Sequence, residues 1–425
     1  MTDAKPFDTP AETSPGLPPN GAHFGGNERA FWKLLIRGAV LLLVTLGIYR
    51  FWLATEVRRF LWSNTEIAGD GLEYIGSARE LLIGFLIAIV ILVPVNIVFF
   101  LAALGHGWLS QIAGLLALLA LALLGQFAVY RARRYRLTRT VYRGIRFHQT
   151  GSAWRYAVCA IFWWGMVALT LGLGYPWAQA SLERFKLRNT YYGDLQGHFV
   201  GSGTRLFFRG LLLWLAVVVP LMFGLMMAVG AVDWAAVGEA MRRGGDDAMS
   251  RVEAAGIAPA LVVAVLSLGW SVVALALLYP AFQAIMLRWW MTGLRFGELT
   301  VASHLRMRAV YALYLRFMWI ALAAGVLLGI GAALALAFAG AAEIWIGKGK
   351  LAEFVTTAAL IASYVVVALA YSTIYQASVK LRLWKTAFES IELTNPEILG
   401  KVKAAGAASS AVGEGLADAL NVGGI

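Results

Sequence analysis

Long runs of apolar residues alternate with short polar connections along most of the chain. Each of eight runs has about the 20 residues that a helix needs to cross the hydrocarbon core of a bilayer. We predict helices rather than strands for these runs, because lipid-exposed open sheets leave backbone groups unpaired. The eight segments lie near residues 31–54, 81–104, 108–130, 156–180, 206–232, 257–285, 315–341 and 354–377.

The composition agrees with a membrane protein. Hydrophobic residues make up 60% of the 425 positions, charged residues make up 14%, and the mean hydropathy is +0.70. A soluble domain has about 25% charged residues and could not bury this much apolar surface. Disordered, collagenous and disulfide-stapled proteins are therefore excluded. The fold class that we predict is all-α, a polytopic helical membrane protein with internal repeats.

The surplus of basic residues predicts topology rather than nucleic-acid binding. The net charge is +12, and cytoplasmic loops of membrane proteins collect lysine and arginine. Residues 131–155 contain eight arginines and no acid, so we place this loop inside, whereas the acidic loop 233–256 belongs outside. Segments 2 and 3, 5 and 6, and 7 and 8 then form hairpins of six spans. Basic residues flank both ends of segment 4, so segments 1 and 4 either span or re-enter the membrane.

Self-comparison of the sequence predicts a repeated unit. Residues 45–48 recur at 170–173, and the same offset of 125 residues aligns Arg59 with Arg184. An offset of 50 residues aligns Arg134 with Arg184. Each unit contains an apolar helix, a basic and aromatic helical exit, a short polar turn with glycine, and the next helix. The units lie near residues 45–80, 123–155, 170–205, 277–310 and 370–393.

The two ends of the chain differ from the apolar middle. Residues 1–30 are rich in proline and glycine, and we predict a disordered N-terminal tail. Residues 396–425 are rich in alanine, glycine and serine, and we predict a mobile C-terminal tail. The helical membrane domain then covers residues 31–395.

The first and third units carry a distinctive pattern of small, basic and aromatic residues. It comprises Thr45-Leu46-Gly47-Ile48-Tyr49, Trp52, Arg58-Arg59-Phe60-Leu61, Asn64-Thr65, Tyr74-Ile75-Gly76 and Asn189-Thr190-Tyr191-Tyr192-Gly193. This pattern resembles the YjgN-like family of bacterial inner-membrane proteins, which is defined by a domain of unknown function. The resemblance covers roughly residues 24–395 and implies a multi-pass protein of the bacterial inner membrane. It supplies no catalytic residue and no substrate.

Arginines at the helical exits are candidates for a binding site. Aromatic side chains lie at the headgroup level of a membrane, and arginines reach the lipid phosphates. One interpretation is a membrane anchor that was copied with the repeat. The other is a set of arginines that converge on an anionic headgroup or phosphate, which a guanidinium binds bidentately. The candidates are Arg58, Arg59, Arg133, Arg134, Arg184, Arg188 and Arg288.

Matched prolines in two apolar segments predict a midplane site or hinge. Pro94 lies in segment 2 beside Asn96, and Pro220 lies in segment 5 at the corresponding place. Interrupted helices in corresponding positions are typical of transporter binding sites, although an inherited kink without a ligand is the simpler alternative. Gly325 and Gly329 have a spacing that favours close helix packing, within the chain or in an oligomer.

The sequence gives little sign of catalysis. It has no phosphate-binding loop, zinc-spaced Cys/His set or nucleophile elbow. His148 and His198 share a repeat position, but a metal site needs three or four ligands, so we interpret both as interfacial polar residues. The apolar segments also contain few ionisable residues of the kind that couple ion transport. We therefore predict no metal, no cofactor and no enzymatic activity.

Three functional hypotheses follow. The first is a transporter or channel for a small or anionic solute, because polytopic repeats with matched prolines commonly move a substrate. The alternative is a non-catalytic protein that binds anionic lipid or organises the membrane through its basic exits. A membrane enzyme acting on headgroups is the third, and it lacks a recognisable nucleophile or metal set. The partners that we predict are membrane lipids, mainly anionic ones, and not nucleic acid.

Overall fold

The computed structural model describes residues 21–105, 108–243, 256–347, 349–406, 410–420 and 422. Helices form most of this part of the chain. Those used below are α1 (Glu28–Val44), α2 (Arg50–Ser63), α3 (Ala78–Leu104), α4 (Trp108–Thr138), α5 (Ala153–Leu169), α6 (Tyr175–Arg188), α7 (Gly203–Gly230), α8 (Trp234–Arg243), α9 (Ala258–Gly293), α10 (Met307–Ile346), α11 (Lys350–Tyr375), α12 (Leu381–Glu389) and α13 (Val412–Ala419). A π-helical stretch, Gln376–Lys380, joins α11 to α12, and a 3-10 helix covers Pro396–Gly400.

Ten short strands lie between the helices and form one antiparallel sheet. They are β1 (Ala22–Phe24), β2 (Thr65–Ile67), β3 (Asp70–Tyr74), β4 (Thr140–Tyr142), β5 (Ile145–Gln149), β6 (Thr190–Tyr192), β7 (Leu195–Phe199), β8 (Leu294–Phe296), β9 (Leu299–Ser303) and β10 (Ile391–Thr394). Each strand pairs with the next one along the chain. A bridge between Gly21 and Glu392 joins the two ends of the sheet. The sheet is therefore a closed ring, which leaves no free edge.

The same order of elements recurs around this ring. Two-residue turns connect β2 to β3, β4 to β5, β6 to β7 and β8 to β9, and each pair has a strand of three residues followed by one of five. Between pairs, one helix leaves the ring and a second helix returns to it. The helical hairpins are α1–α2, α3–α4, α5–α6, α7–α9 and α10–α11. We call α2, α4, α6, α9 and α12 with its preceding π-helical stretch the exit helices, because they lead into the ring.

In the described part of the chain, six helices are long and apolar enough to cross a membrane. They are Ala78–Leu104, Ile112–Thr138, Gly203–Gly230, Ala258–Gly293, Met307–Ala341 and Lys350–Glu389. These helices correspond to the predicted segments 2, 3, 5, 6, 7 and 8, so the helical membrane class is confirmed. The predicted outer loop 233–256 begins with α8, and its residues 244–255 lie outside the described part of the chain.

Segments 1 and 4 fold as short helical hairpins. Helices α1 and α5 have 17 residues each and end at the Thr-Leu-Gly sequence that repeats at Thr45 and Thr170. Each threonine hydroxyl donates to a carbonyl four residues earlier and accepts from a backbone N–H four residues later. The glycines Gly47 and Gly172 have φ values of 91° and 92°, which other residues rarely adopt. The chain therefore reverses at both places and returns to the ring through α2 and α6.

The sheet corrects the all-α prediction. The strands are only three to five residues long and lie between the apolar segments, so hydropathy gives no sign of them. The rule against open sheets in lipid does not apply to them, because they close into a ring outside the six apolar helices.

Both predicted tails contain ordered structure. At the N-terminus, β1 and the first turn of α1 fall within residues 21–30, whereas residues 1–20 lie outside the described part. At the C-terminus, residues 396–406 pack against the ring and α13 is largely buried. The C-terminal segment is ordered because Leu399 fills the core of the ring beside Leu72 and Tyr142. Helices and strands are therefore also present on either side of residues 31–395.

Candidate functional site

Three of the predicted arginines brace the repeated unit. The guanidinium groups of Arg59, Arg134 and Arg184 each donate to the backbone carbonyl of the glycine 17 residues later. The serine that follows each glycine caps the next helix, as where Ser77 Oγ accepts from the backbone N–H of Glu80. These arginines therefore fasten each exit helix to the start of the next hairpin.

The Asn-Thr pairs that follow α2 and α6 also stabilise the repeated unit, because they cap the ends of these helices. Asn64 and Asn189 donate through Nδ2 to the carbonyl four residues earlier, over 2.7 Å in both cases. Thr65 and Thr190 bond through Oγ1 to the carbonyl four residues earlier in the same way. The pairs satisfy the carbonyls that the end of a helix leaves free, and they begin the strands β2 and β6.

Several other predicted residues lie apart from any shared site. Arg188 and Arg288 are exposed on the surface of their helices. Pro94 and Asn96 are also exposed, and Asn96 Nδ2 donates to the carbonyl of its own helix at 2.9 Å. Pro220 is half-buried. The protein has two apolar cavities of about 460 and 450 Å³, and Pro94, Asn96 and Pro220 line neither of them.

The two glycines of segment 7 have different surroundings. A Cβ atom at Gly325 would lie 2.4 Å from the hydroxyl of Tyr371 on α11, whereas Gly329 has open space around it. Gly325 therefore serves packing within the chain. The two histidines that share a repeat position do not face each other in the sheet. His148 lies opposite Tyr191, and His198 lies opposite Arg295. No group of three or more potential metal ligands occurs among the described residues.

Arg58 lies at a buried ion pair with the C-terminal helix. Only 6% of Arg58 is exposed, and its guanidinium donates to Glu414 on α13 and, at 3.2 Å, to the hydroxyl of Tyr74. The other carboxylate oxygen of Glu414 lies 3.7 Å from Nε of Arg136 on α4. Burial alone would lower the pKa of Arg58, but the Glu414 carboxylate holds that pKa above its ordinary value. One carboxylate is thus shared by two arginines in the protein interior.

A second buried pair lies on the exit helix α6. Lys186 Nζ donates to one oxygen of Glu183, and the indole of Trp290 donates to the other at 3.0 Å. Burial raises the pKa of the Glu183 carboxyl, but Lys186 and Arg133 outweigh this effect and hold the pKa below its ordinary value. Burial also lowers the pKa of Lys186. Glu183 is therefore an ionised carboxylate held by cations from two helices.

These two pairs form one cationic cluster. Arg136 is close enough to interact electrostatically with Arg58, Glu414 and Arg133. Arg133 in turn interacts electrostatically with Glu183 and Lys186. Four cations therefore face two carboxylates, which leaves an excess of positive charge. Nε of Arg133 is buried and has no hydrogen-bond partner in the described part of the chain. The cluster consists of Arg58, Arg133, Arg136, Lys186, Glu183 and Glu414.

An apolar cavity of about 460 Å³ lies inside the ring of strands. Its wall combines the inward-facing strand residues with one face of several exit helices, and it includes aromatic, leucine and isoleucine side chains from most of the strands. Lys380 and Gln376 contribute polar groups to the wall. We call this space the axial cavity. Its volume falls in the range of cavities that hold small ligands, about 300–1,000 Å³.

The cluster and the axial cavity are neighbours. The repeat offsets align Arg58, Arg133, Glu183, Leu287 and Lys380 at one position of the five exit helices. The first three belong to the cluster, and the last two line the cavity. Trp290 joins the two regions directly, because it lines the cavity while its indole donates to Glu183. The arrangement places an apolar chamber beside a buried surplus of positive charge.

The sequence prediction found part of this site. It named Arg58 and Arg133 but omitted Arg136, Lys186, Glu183 and Glu414. One signal could have found Glu183, since the repeat offset puts this acid where the first two units have arginine. No local signal points to Glu414, because its partner Arg58 lies 356 residues earlier.

Comparisons with known proteins give a family and no activity. A family model described as a bacterial protein of unknown function, DUF898, matches residues 20–419. No curated protein and no solved structure matches the chain.

Proposed function

Since the chain belongs to the DUF898 family, which is the YjgN-like family of bacterial proteins of unknown function, we propose its function from its geometry. It is a non-catalytic binding protein of the inner membrane for an anionic amphiphile, in the first place an anionic lipid. The axial cavity takes one apolar chain, and the cationic cluster takes the anionic group. The predicted resemblance to the family is confirmed, whereas the predicted absence of enzymatic activity stays a prediction.

The juxtaposition of cavity and cluster is the observation that carries this proposal. An apolar chamber removes hydrocarbon from water, and a buried excess of arginine and lysine needs an anion to offset its desolvation. An amphiphile with an anionic head satisfies both requirements at once. Lys380 and Gln376 of the fifth exit helix give the cavity wall polar groups that a headgroup can contact.

The arrangement of the hairpins supports the membrane orientation that this function needs. Every hairpin leaves the ring of strands and returns to it, so all five units have their exits at one end of the molecule. With six helices spanning, α1–α2 and α5–α6 then re-enter the membrane without crossing it. The basic exits indicate that the ring lies on the cytoplasmic side, where anionic headgroups attract them.

Two arguments for a transporter, the matched prolines and the inverted repeats, are weaker in this geometry. Pro94 and Asn96 are exposed rather than gathered around a cavity. Inverted repeats need successive units to face opposite sides, and here all units return to one sheet. Binding is therefore the function that the geometry supports better.

Filling the axial cavity tests the proposal. Ile67 lines the cavity and is half-buried, so Ile67→Trp should occupy the chamber and remove bound phosphatidylglycerol. The matched control is Leu101→Trp on the exposed face of α3. Lipids retained by the purified full-length protein are counted by native mass spectrometry. Loss of phosphatidylglycerol from the Ile67 variant alone supports the proposal, and equal retention by both variants contradicts it.

A further inference from the structure

The C-terminal segment closes one end of the ring before it reaches the cationic cluster. Leu399 fills the ring core, and the backbone of Lys403 exchanges hydrogen bonds with Asp194 in the β6–β7 turn. Gly406 then lies against the ring of His148. The described residues of this segment therefore contact the ring core, the β6–β7 turn and β5, and α13 packs on the α3–α4 hairpin.

Helix α13 is inserted between α3 and α4 through small residues. A Cβ atom at Gly84 on α3 would lie 2.4 Å from the carbonyl oxygen of Ala411, and one at Gly413 would lie 2.2 Å from Cβ of Arg131 on α4. Only glycine permits this close approach. Most of α13 is consequently buried, from Gly413 through Ala417.

Two acids on α13 meet two arginines of α2. Glu414 pairs with Arg58 in the interior, and one turn later Asp418 pairs with Arg50. The pairs differ in exposure, because the side chains of Glu414 and Arg58 are 7% exposed and those of Asp418 and Arg50 are 41% exposed. The inner pair thus belongs to the cationic cluster, and the outer pair lies one helical turn away in a half-exposed position.

One carboxylate oxygen of Glu414 is left without a hydrogen bond from the described residues. This Oε2 atom is buried and lies 3.7 Å from Arg136. Two arginines share this one carboxylate, and Arg58 uses its other nitrogen to donate to the Tyr74 hydroxyl. A phosphate group presents more acceptor oxygens than a carboxylate, and arginine forks match its geometry.

We propose that Arg58 and Arg136 form a phosphate-binding site and that Glu414 is a tethered competitor for it. Helix α13 withdraws when a phosphate-bearing anion enters between α3 and α4, and it returns when the anion leaves. The inference rests on the proposed function for one point, namely that a lipid headgroup is a source of the phosphate. Free phosphate is the other source.

The first test removes the negative charge of Glu414. Glu414→Gln keeps the size of the side chain but leaves Arg58 and Arg136 without their carboxylate. We expect this variant to retain phosphatidylglycerol about 5- to 150-fold more tightly than the unaltered protein, the range of a usual coupling between two binding events. The matched control is Asp418→Asn on the same helix, which should leave retention within about twofold because its pair is half-exposed. Dioleoylglycerol, which has the same chains without phosphate, should show no difference.

Holding α13 in place is a second test that does not disturb the ion pair. A Cβ atom at Gly125 on α4 would lie 3.8 Å from Cγ1 of Val422, just beyond α13. Cysteines at these two positions, in a Cys159→Ser background, are close enough for a disulfide. Oxidation should abolish the retention of phosphatidylglycerol, and a reductant should restore it in the same sample.

The outcomes separate this inference from the proposed function. If Ile67→Trp removes the lipid but Glu414→Gln and the disulfide leave its affinity unchanged, the competitor is refuted and the binding function stands. If Ile67→Trp has no effect while Glu414→Gln and the disulfide act as expected, the phosphate site stands without the axial chain. Millimolar inorganic phosphate that displaces the lipid from the Glu414→Gln variant identifies free phosphate as a sufficient ligand. Failure to displace it identifies the headgroup.

Discussion

Adjacent arginines on the exit helices have different tasks, because a helix turns by about 100° per residue. Arg59 and Arg134 face the glycine carbonyl of their own unit and brace it. Arg58 and Arg133, one position earlier, face the interior and belong to the cationic cluster. Both of these arginine pairs therefore combine one bracing group and one interior group, which a search for basic clusters treats alike.

Replacing a bracing arginine should weaken the fold without changing lipid preference. Arg184→Ala removes the 3.1 Å bond to the Gly201 carbonyl, which is worth roughly 1 kcal/mol. We expect the thermal unfolding midpoint in detergent to fall by roughly 2 °C. Arg288→Ala, at an exposed position of the fourth unit, should leave the midpoint unchanged. Equal effects of both substitutions would argue against the brace.

Among the helices and strands, the long apolar helices could be predicted from the sequence, but the pairing of the strands could not. A run of 20 apolar residues is a local property, so the six long helices could be predicted from the sequence. The strands have three to five residues, and their pairing joins distant segments, such as Gly21 with Glu392. The contact of α13 with Arg58 spans most of the chain and leaves no local pattern. The basic flanks of segment 4 left spanning and re-entry open, and the reversal of the chain after Thr170 is a local feature of the Thr-Leu-Gly sequence.

Packing between α10 and α11 depends on one glycine of the predicted pair. The hydroxyl of Tyr371 donates to the Ala321 carbonyl at 3.1 Å and occupies the space beside Gly325. Gly325→Ala should therefore displace Tyr371 and cost about 1–3 kcal/mol of unfolding free energy.

Gly329→Ala is the matched control, because Gly329 has open space around it and alanine has the higher helix propensity. It should leave the unfolding midpoint in detergent unchanged or slightly raised. The same loss of stability in both variants would contradict the packing described for α10 and α11.

At the scale of the whole molecule, a closed ring of strands gathers five units at one end. The N-terminal β1 and the C-terminal β10 complete the ring, so the two ends of the chain together supply its fifth pair of strands. Closure also encloses the axial cavity, which no single unit could form. The sidedness of the molecule therefore follows from the ring and not from the individual spans.

Cysteine labelling tests this sidedness. In a Cys159→Ser background, Glu298→Cys lies in the exposed β8–β9 turn of the ring, and Gly105→Cys lies at the far end of α3. A membrane-impermeant maleimide added to intact spheroplasts should label Gly105→Cys at once and Glu298→Cys only after permeabilisation. Leu171→Cys, in the turn after α5, should resist the reagent from both sides, because the topology that we propose ends this hairpin within the membrane. Labelling of Leu171→Cys from outside would show that α5 crosses.

The central claim is that an anionic lipid places one chain inside the axial cavity. The most direct measurement uses phosphatidylglycerol with a photoactivatable diazirine in one acyl chain, bound to the full-length protein and analysed by peptide mass spectrometry. The account predicts insertion into cavity-lining residues of β8 and β9, such as Phe296 and Leu299. Insertion confined to outward-facing residues of the long helices, such as Leu101 and Phe338, would contradict it.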